Sequence, residues 1–324
     1  MKGRSELQPA NGKALPAFCL RFYCPPVQLL ACVAIVFLAA VSSAAPRPRI
    51  VTSFFPIYCW TVHVAGEFAD VENLLPGRVD PHAYSFTTSD ARKLTSADLI
   101  VVNGLGLESW LPKVQRNGTV ATNKIVTVSA GLQTQLLFGA HHHHHDGDAH
   151  DHAGEQANEH IWLDPTLAAH GVSNILAALQ RLDPAHAAAY ASNAQAYVAR
   201  LHQLDTDIRA KLASVTNRAI VTYHDAFPYF TRRYGLEIAG VVEQQPGVPP
   251  GPKYLSELGK KIRAQKIPAI FVPPGVRHPL AQRLASDLKV KLAELDTLES
   301  GPLSPSAYEE QMRHNAEALA NHLK

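Results

Sequence analysis

The sequence predicts an α/β protein of two lobes, each with a parallel sheet covered by helices, joined by one long backbone helix. Three observations carry this prediction. Short β-branched apolar runs alternate with helix-length segments, the pattern of parallel strands buried on both faces. The runs fall into two groups, before and after about residue 180, so each group can form its own sheet. Between the groups lies a single helical pattern whose apolar stripe can pack along both lobes.

The chain begins with a predicted leader, residues 1–44. Lys2, Arg4, Lys13 and Arg21 precede the apolar run Val27–Val41, and "SSAA" follows with small residues. This order reads as a secretory signal cut after Ala44. The alternative is an uncleaved anchor, but the apolar run is short for a membrane span. "LLAC", ending at Cys32, is a weak lipidation box because the apolar run continues beyond it. Without the leader the net charge of +2 becomes −1, and no basic surface for nucleic acid is expected. Cys19, Cys24 and Cys32 leave with the leader, so Cys59 has no partner for an internal disulfide.

The N-terminal lobe is expected over residues 45–183, with strands at Arg49–Ile57, Ala97–Gly104 and Lys124–Ala130. Residues 137–158 within it hold Gly, Asp, His, Ala and Glu with little to bury, and predict a surface loop. The linking helix is expected over 184–216. Asp183 and Pro184 supply a cap and first turn, and Tyr190, Ala194, Tyr197, Leu201, Leu204, Ile208 and Leu212 form the stripe. The C-terminal lobe, 217–324, has strands at Ala219–His224, Glu237–Glu243, Pro268–Pro274 and Val290–Asp296.

Histidine placement points to metal. The loop carries His141, His142, His143, His144, His145, His150 and His152, seven of the chain's 17 histidines. Imidazole is a good transition-metal ligand, but a floppy run binds loosely because each bound residue must be ordered. Selective binding needs ligands on folded structure. "VDPHAYS" places His82 in an Asp-Pro turn, and "NEHIWLDP" places His160 where the loop ends. "VTYHDAF" places His224 at a strand's carboxyl end, and "LAELDTL" ends another strand with Asp296. Ligands of open α/β sheets bind at such ends. Singly, each of these is an ordinary structural residue.

The chain resembles the zinc/manganese solute-binding proteins of bacterial ABC importers, the TroA/ZnuA-like family. The resemblance lies in "VTSFFPIYCW", "LLPGRVDPHAYSFTTSDARKLTSADLIVVNGLGLESWL", "HIWLDPTLAAHGVSNILAALQRLDP", "IVTYHDAFPYFTRRYGLEIAGVVEQQPGVPP" and "YEEQMRHNAEAL", in that order along the chain. It implies metal in the interlobe cleft, with His82 and His160 from the first lobe, His224 and Asp296 from the second. At "FVPPG", Pro273 and Pro274 stand where many relatives carry an acid, so no ligand is assigned there.

Three imidazoles and a carboxylate suit tetrahedral Zn²⁺ better than Mn²⁺. The resemblance thus implies a monomeric periplasmic protein that performs no covalent chemistry. It captures Zn²⁺ as cargo for an ABC permease with its ATPase. The His-rich loop is expected to be an accessory that raises local zinc supply near His160. The rivals are manganese import, a metal-sequestering adhesin, and a zinc hydrolase with Glu243 as base. The hydrolase lacks an H-E-x-x-H motif.

Overall fold

In the computed structural model, residues 46–77, 79–138, 157–244 and 247–324 are described. The predicted leader and the histidine run 141–152 lie outside the described residues.

Each half of the chain builds one parallel four-stranded sheet. The first contains β1 (Arg49–Thr52), β2 (Asp70–Asn73), β3 (Leu99–Val102) and β4 (Ile125–Thr127), in the order β2-β1-β3-β4. The second repeats that order with β5 (Ala219–Thr222), β6 (Glu237–Val241), β7 (Ala269–Val272) and β8 (Lys291–Glu294), as β6-β5-β7-β8. The interior strands β3, β5 and β7 are buried at every residue, which explains why they are apolar throughout except for Thr222 at the end of β5. In such a sheet the chain reverses direction of winding beside β1 and beside β5. The crevice at that switch, outside the carboxyl ends, is where ligands bind.

Helices α1 (Phe55–Ala65), α2 (Thr88–Ser96), α3 (Leu111–Arg116) and α4 (Pro165–Leu182) belong to the first half. The long helix α5 runs over Ala187–Leu212, about 39 Å at 1.5 Å per residue. All seven residues of its predicted stripe are buried. Its start differs from expectation. Asp183 ends α4, Pro184–His186 form a 3₁₀ turn, and the Asp183 carboxylate accepts from His186 Nδ1 (2.7 Å) and the Tyr190 hydroxyl (2.9 Å). The second half adds α6 (Pro228–Tyr234), α7 (Pro252–Ala264), α8 (Pro279–Leu288) and α9 (Ala307–His322).

Two strand predictions need correction. The first apolar run does not stay extended to Ile57: α1 begins at Phe55, with Pro56 in its first turn. The edge strand β2, DVEN, is missed because an edge strand buries little and its acids break the apolar pattern.

One core runs from the first sheet through α1, α4, α5 and α9 to one face of the second sheet, where Ile220, Phe271 and Ala293 join it. The other face of the second sheet is covered by α7 and α8 through Leu258, Ile262, Ala281 and Ala285. Among the described residues no helix is long and apolar enough to cross a membrane.

Candidate metal site

Four side chains converge between the halves: His82, His160, His224 and Glu299, with one ligand atom from each lying within 4.8 Å of the others. Glu299 Oε1 is 3.2 Å from His82 Nε2, 2.9 Å from His160 Nε2 and 3.4 Å from His224 Nε2. The Nε2 atoms of His160 and His224 are 3.1 Å apart. Tetrahedral zinc, with bonds of about 2.0–2.1 Å, separates its ligand atoms by about 3.3 Å. The spacing therefore fits a small tetrahedral cation.

Local structure explains each position. His82 follows β2 in a turn where its N–H donates to Asp80 Oδ1 (2.8 Å). The stretch beyond is fixed by the Thr87–Asp90 capping box at α2, whose Asp90 carboxylate also accepts from Tyr84 (2.7 Å). His160 precedes a 3₁₀ turn, Ile161–Leu163, and Asp164 then caps α4. His224 leaves the carboxyl end of β5, at the switch of the second sheet. Glu299 lies beyond β8.

The carboxylate of the cluster is Glu299, not Asp296. Asp296 lies two residues beyond the end of β8 at Glu294 rather than in the strand, and its Oδ1 accepts from the Leu298 N–H (2.8 Å), making it a turn residue. Asn315 of α9 fixes it further, accepting from its N–H (2.8 Å) and donating to its carbonyl (2.7 Å). Leu298 is fully buried at φ 56, a left-handed conformation unusual for leucine. That kink turns the chain so that Glu299 enters the cluster. Beyond it, Gly301 N–H donates to Gly77 O (2.7 Å), an approach a Cβ on Gly77 would block at 2.5 Å from Gly301 O. Asp296 still lines the cavity of about 330 Å³ onto which His82, His224 and Glu299 open, together with Glu243, Pro273, Pro274 and His278.

Charge follows the geometry. Burial opposes ionisation of Glu299, but hydrogen bonds from His160, His224 and His82 hold its carboxyl well below the usual range. Burial also opposes protonation of His82 and His224, yet contact with Glu299 outweighs it and raises both. For fully buried His160 desolvation wins and its affinity for a proton is lowered. Burial, then the negative charge of Glu299, pushes Asp296 up to about 6.

Sequence reasoning missed a supporting residue, Asn158. Its Oδ1 accepts from the His160 N–H (3.1 Å) and lies 3.0 Å from His160 Nδ1. Nδ1 can therefore carry a hydrogen when a cation takes the Nε2 lone pair in place of the bond to Glu299. Asn158 Nδ2 donates to Asp225 O, beside His224 (2.8 Å), so one side chain spans both halves. Tyr229 of α6 completes the arrangement, its hydroxyl accepting from Leu137 N (3.1 Å) and donating to Asn158 O (2.7 Å). Partners that orient a metal-binding histidine are worth roughly 10–100-fold in affinity. Asn158→Leu is expected to weaken zinc binding by about that factor, with Asn158→Asp restoring most of it. Chelator competition on both variants checks this, and equal loss in the two would refute an orienting role.

Other described histidines do not belong to the cluster. His63 stacks on Tyr197 (4.1 Å), His170 reaches Ala130 O (2.6 Å) and His186 pairs with Asp183. His278 differs: it is buried, packs on Tyr223 (4.2 Å) and faces the cavity.

Two parallel-sheet halves around a convergent histidine and carboxylate site define the class of two-lobed metal solute-binding proteins. The family model described as "Zinc-uptake complex component A periplasmic" (ZnuA) matches residues 50–322, and the chain belongs to that family. A zinc-binding lipoprotein, AdcA of Streptococcus pneumoniae, is 31% identical over 279 residues, which are 84% of this chain and 55% of the relative. The chain thus spans about half the length of the AdcA relatives it matches. The high-affinity zinc uptake system protein ZnuA of Bacillus subtilis is 28% identical over 88% of this chain and 90% of its own. Among solved structures, a zinc(II)-bound mutant variant of AdcAII of Streptococcus pneumoniae superposes with a TM-score of 0.74. It is 28% identical, covering 86% of this chain and 99% of that one.

Proposed function

We propose that this protein captures Zn²⁺ between its two halves and hands it to the permease of an ABC importer, whose ATPase supplies the energy. The observation that carries this reading is the four-atom cluster of three imidazole nitrogens and one carboxylate oxygen, within 4.8 Å of one another. Four protein ligands close a tetrahedral zinc site, whereas a catalytic zinc keeps a position open. The ligand set His82, His160, His224 and Glu299 therefore suits carriage rather than hydrolysis. Manganese prefers oxygen ligands and more of them, which ranks it below zinc. Export by the leader 1–44 and a monomeric state complete the proposal, with the histidine run 141–152 as an accessory zinc collector.

Chelator competition on residues 45–324, with and without 141–152, tests this reading. One tight zinc site should persist without the run, with manganese bound far more weakly. Only loose zinc binding after deletion would transfer the affinity to the run and overturn the assignment.

The same titration has a defined pH dependence. Zinc needs neutral imidazoles, and His82 and His224 hold their protons above the ordinary histidine value of 6.5. Affinity is expected to start falling above that value as pH drops. Because two protons are displaced, the slope should approach about two log units per pH unit. His160 and Glu299, both held against protonation, add nothing until lower pH. A flat profile between about pH 8 and 6 would exclude histidine ligation.

A further inference from the structure

A whole-chain charge near zero conceals a strong segregation. Residues 252–291 carry nine Lys and Arg against two acids, Glu257 and Asp287, a local charge of +7. The remainder of 45–324 then carries −8. All nine cations are exposed. They lie on α7, α8, the turns that join them to β7 and β8, and the first residue of β8, at the layer covering the outer face of the second sheet. Among the described residues the ion pair on this face is Lys260–Glu257, at 2.9 Å.

The face is not uniformly polar. Between α7 and α8 lies a groove of about 530 Å³ lined by Leu255, Leu284 and Leu288 and by Lys260, Arg263 and Arg283, with Asp287 as its one acid. A second groove, of about 580 Å³, shares Arg263 and Leu288 and is edged by Lys266, Lys289 and Lys291. The exposed Leu292 follows directly. Cations spread over a broad flank, with short apolar strips between them, match a surface that is anionic everywhere and apolar just beneath. That is the chemistry of an anionic phospholipid bilayer. A single acidic peptide would call for convergent charges instead.

We infer that the α7–α8 face is a membrane-docking surface that holds the protein against anionic phospholipid. Attraction of this kind adds up over several basic residues and fades within a Debye length, so it is reversible and salt-dependent. The docking charges stand apart from the metal cluster, so the inference does not depend on the zinc reading.

Sedimentation of residues 45–324 with vesicles tests it. One set is pure phosphatidylcholine and the other about one-third phosphatidylglycerol. Binding is expected to the anionic set alone at about 0.15 M salt, and to be lost at about 1 M, where the Debye length is about 3 Å. The triple variant Lys266→Glu, Lys289→Glu and Lys291→Glu should bind about 100-fold more weakly, as three contacts of about 1 kcal/mol each imply. The matched variant Arg92→Glu, Lys113→Glu and Arg116→Glu changes net charge equally on the first half, at exposed positions. It should bind much as the parent does. Circular dichroism confirms that both variants fold. Absence of anionic-vesicle binding, or equal loss in both variants, would overturn the inference. So would self-association that the first variant abolishes without any vesicle binding, which would assign the face to a second copy.

Discussion

Glu299→Ala is expected to lower zinc affinity by about 10²–10³-fold, while Asp296→Asn changes it by less than about tenfold. Four-ligand zinc sites supply about 10–16 kcal/mol, so one ligand accounts for roughly 3–4 kcal/mol. Glu299 Oε1 sits within 3.4 Å of all three Nε2 atoms, and its Oε2 accepts from Thr297 Oγ1 at 2.9 Å. Removing it leaves three imidazoles with no carboxylate at their Nε2 atoms, Glu159 standing only on the Nδ1 side of His82 at 3.5 Å. The Asp296 carboxylate instead receives the Leu298 N–H within its own turn. An asparagine oxygen accepts that bond equally well, so Asp296→Asn keeps the kink that delivers Glu299. Competition titrations of the two variants separate the cases, and the reverse ranking would restore Asp296 as the ligand.

Trp162→Ala is expected to cost roughly 3–5 kcal/mol of stability, about 10 °C in the apoprotein's melting temperature. Trp162 is completely buried, lies edge-on to Phe54 with centroids 4.8 Å apart, and packs 4.9 Å from the His160 ring. Its Nε1 donates to Thr297 O (2.8 Å) and its carbonyl accepts from Tyr308 (2.6 Å). The indole thus joins the His160 turn to the strap bearing Glu299, linking the core to the site. Trp162→Phe refills most of the volume but leaves Thr297 O without its donor, an expected loss of about 1–3 kcal/mol. The measurement is thermal unfolding in excess chelator, because bound zinc would stabilise the folded state by mass action. A shift of only a few degrees for Trp162→Ala would mean that the interior collapses around the gap.

The sequence by itself determined the two parallel sheets, the long helix and the three histidines. Each rests on a local or periodic signal. Buried interior strands must be apolar throughout, as LIVV and AIFV are. A helix packed along one side must repeat its apolar residues every three or four positions, as α5 does. Histidines in turns or at strand ends stand out against such patterns. The edge strand β2 was illegible because its acids face solvent and only Asn73 is buried.

Only the tertiary structure decided the fourth member of the cluster. "LDTLES" offers two carboxylates three residues apart, and nothing in its composition says which one turns inward. The left-handed Leu298 decides it, and that conformation persists because burial and contacts with Trp162, Gly77 and Asn315 hold the strap on both sides. Asn158 became visible only through the space it shares with His160 and Asp225. The basic stretch 252–291 is cancelled in the net charge of the whole chain, and only the fold shows that it forms one face of the second half.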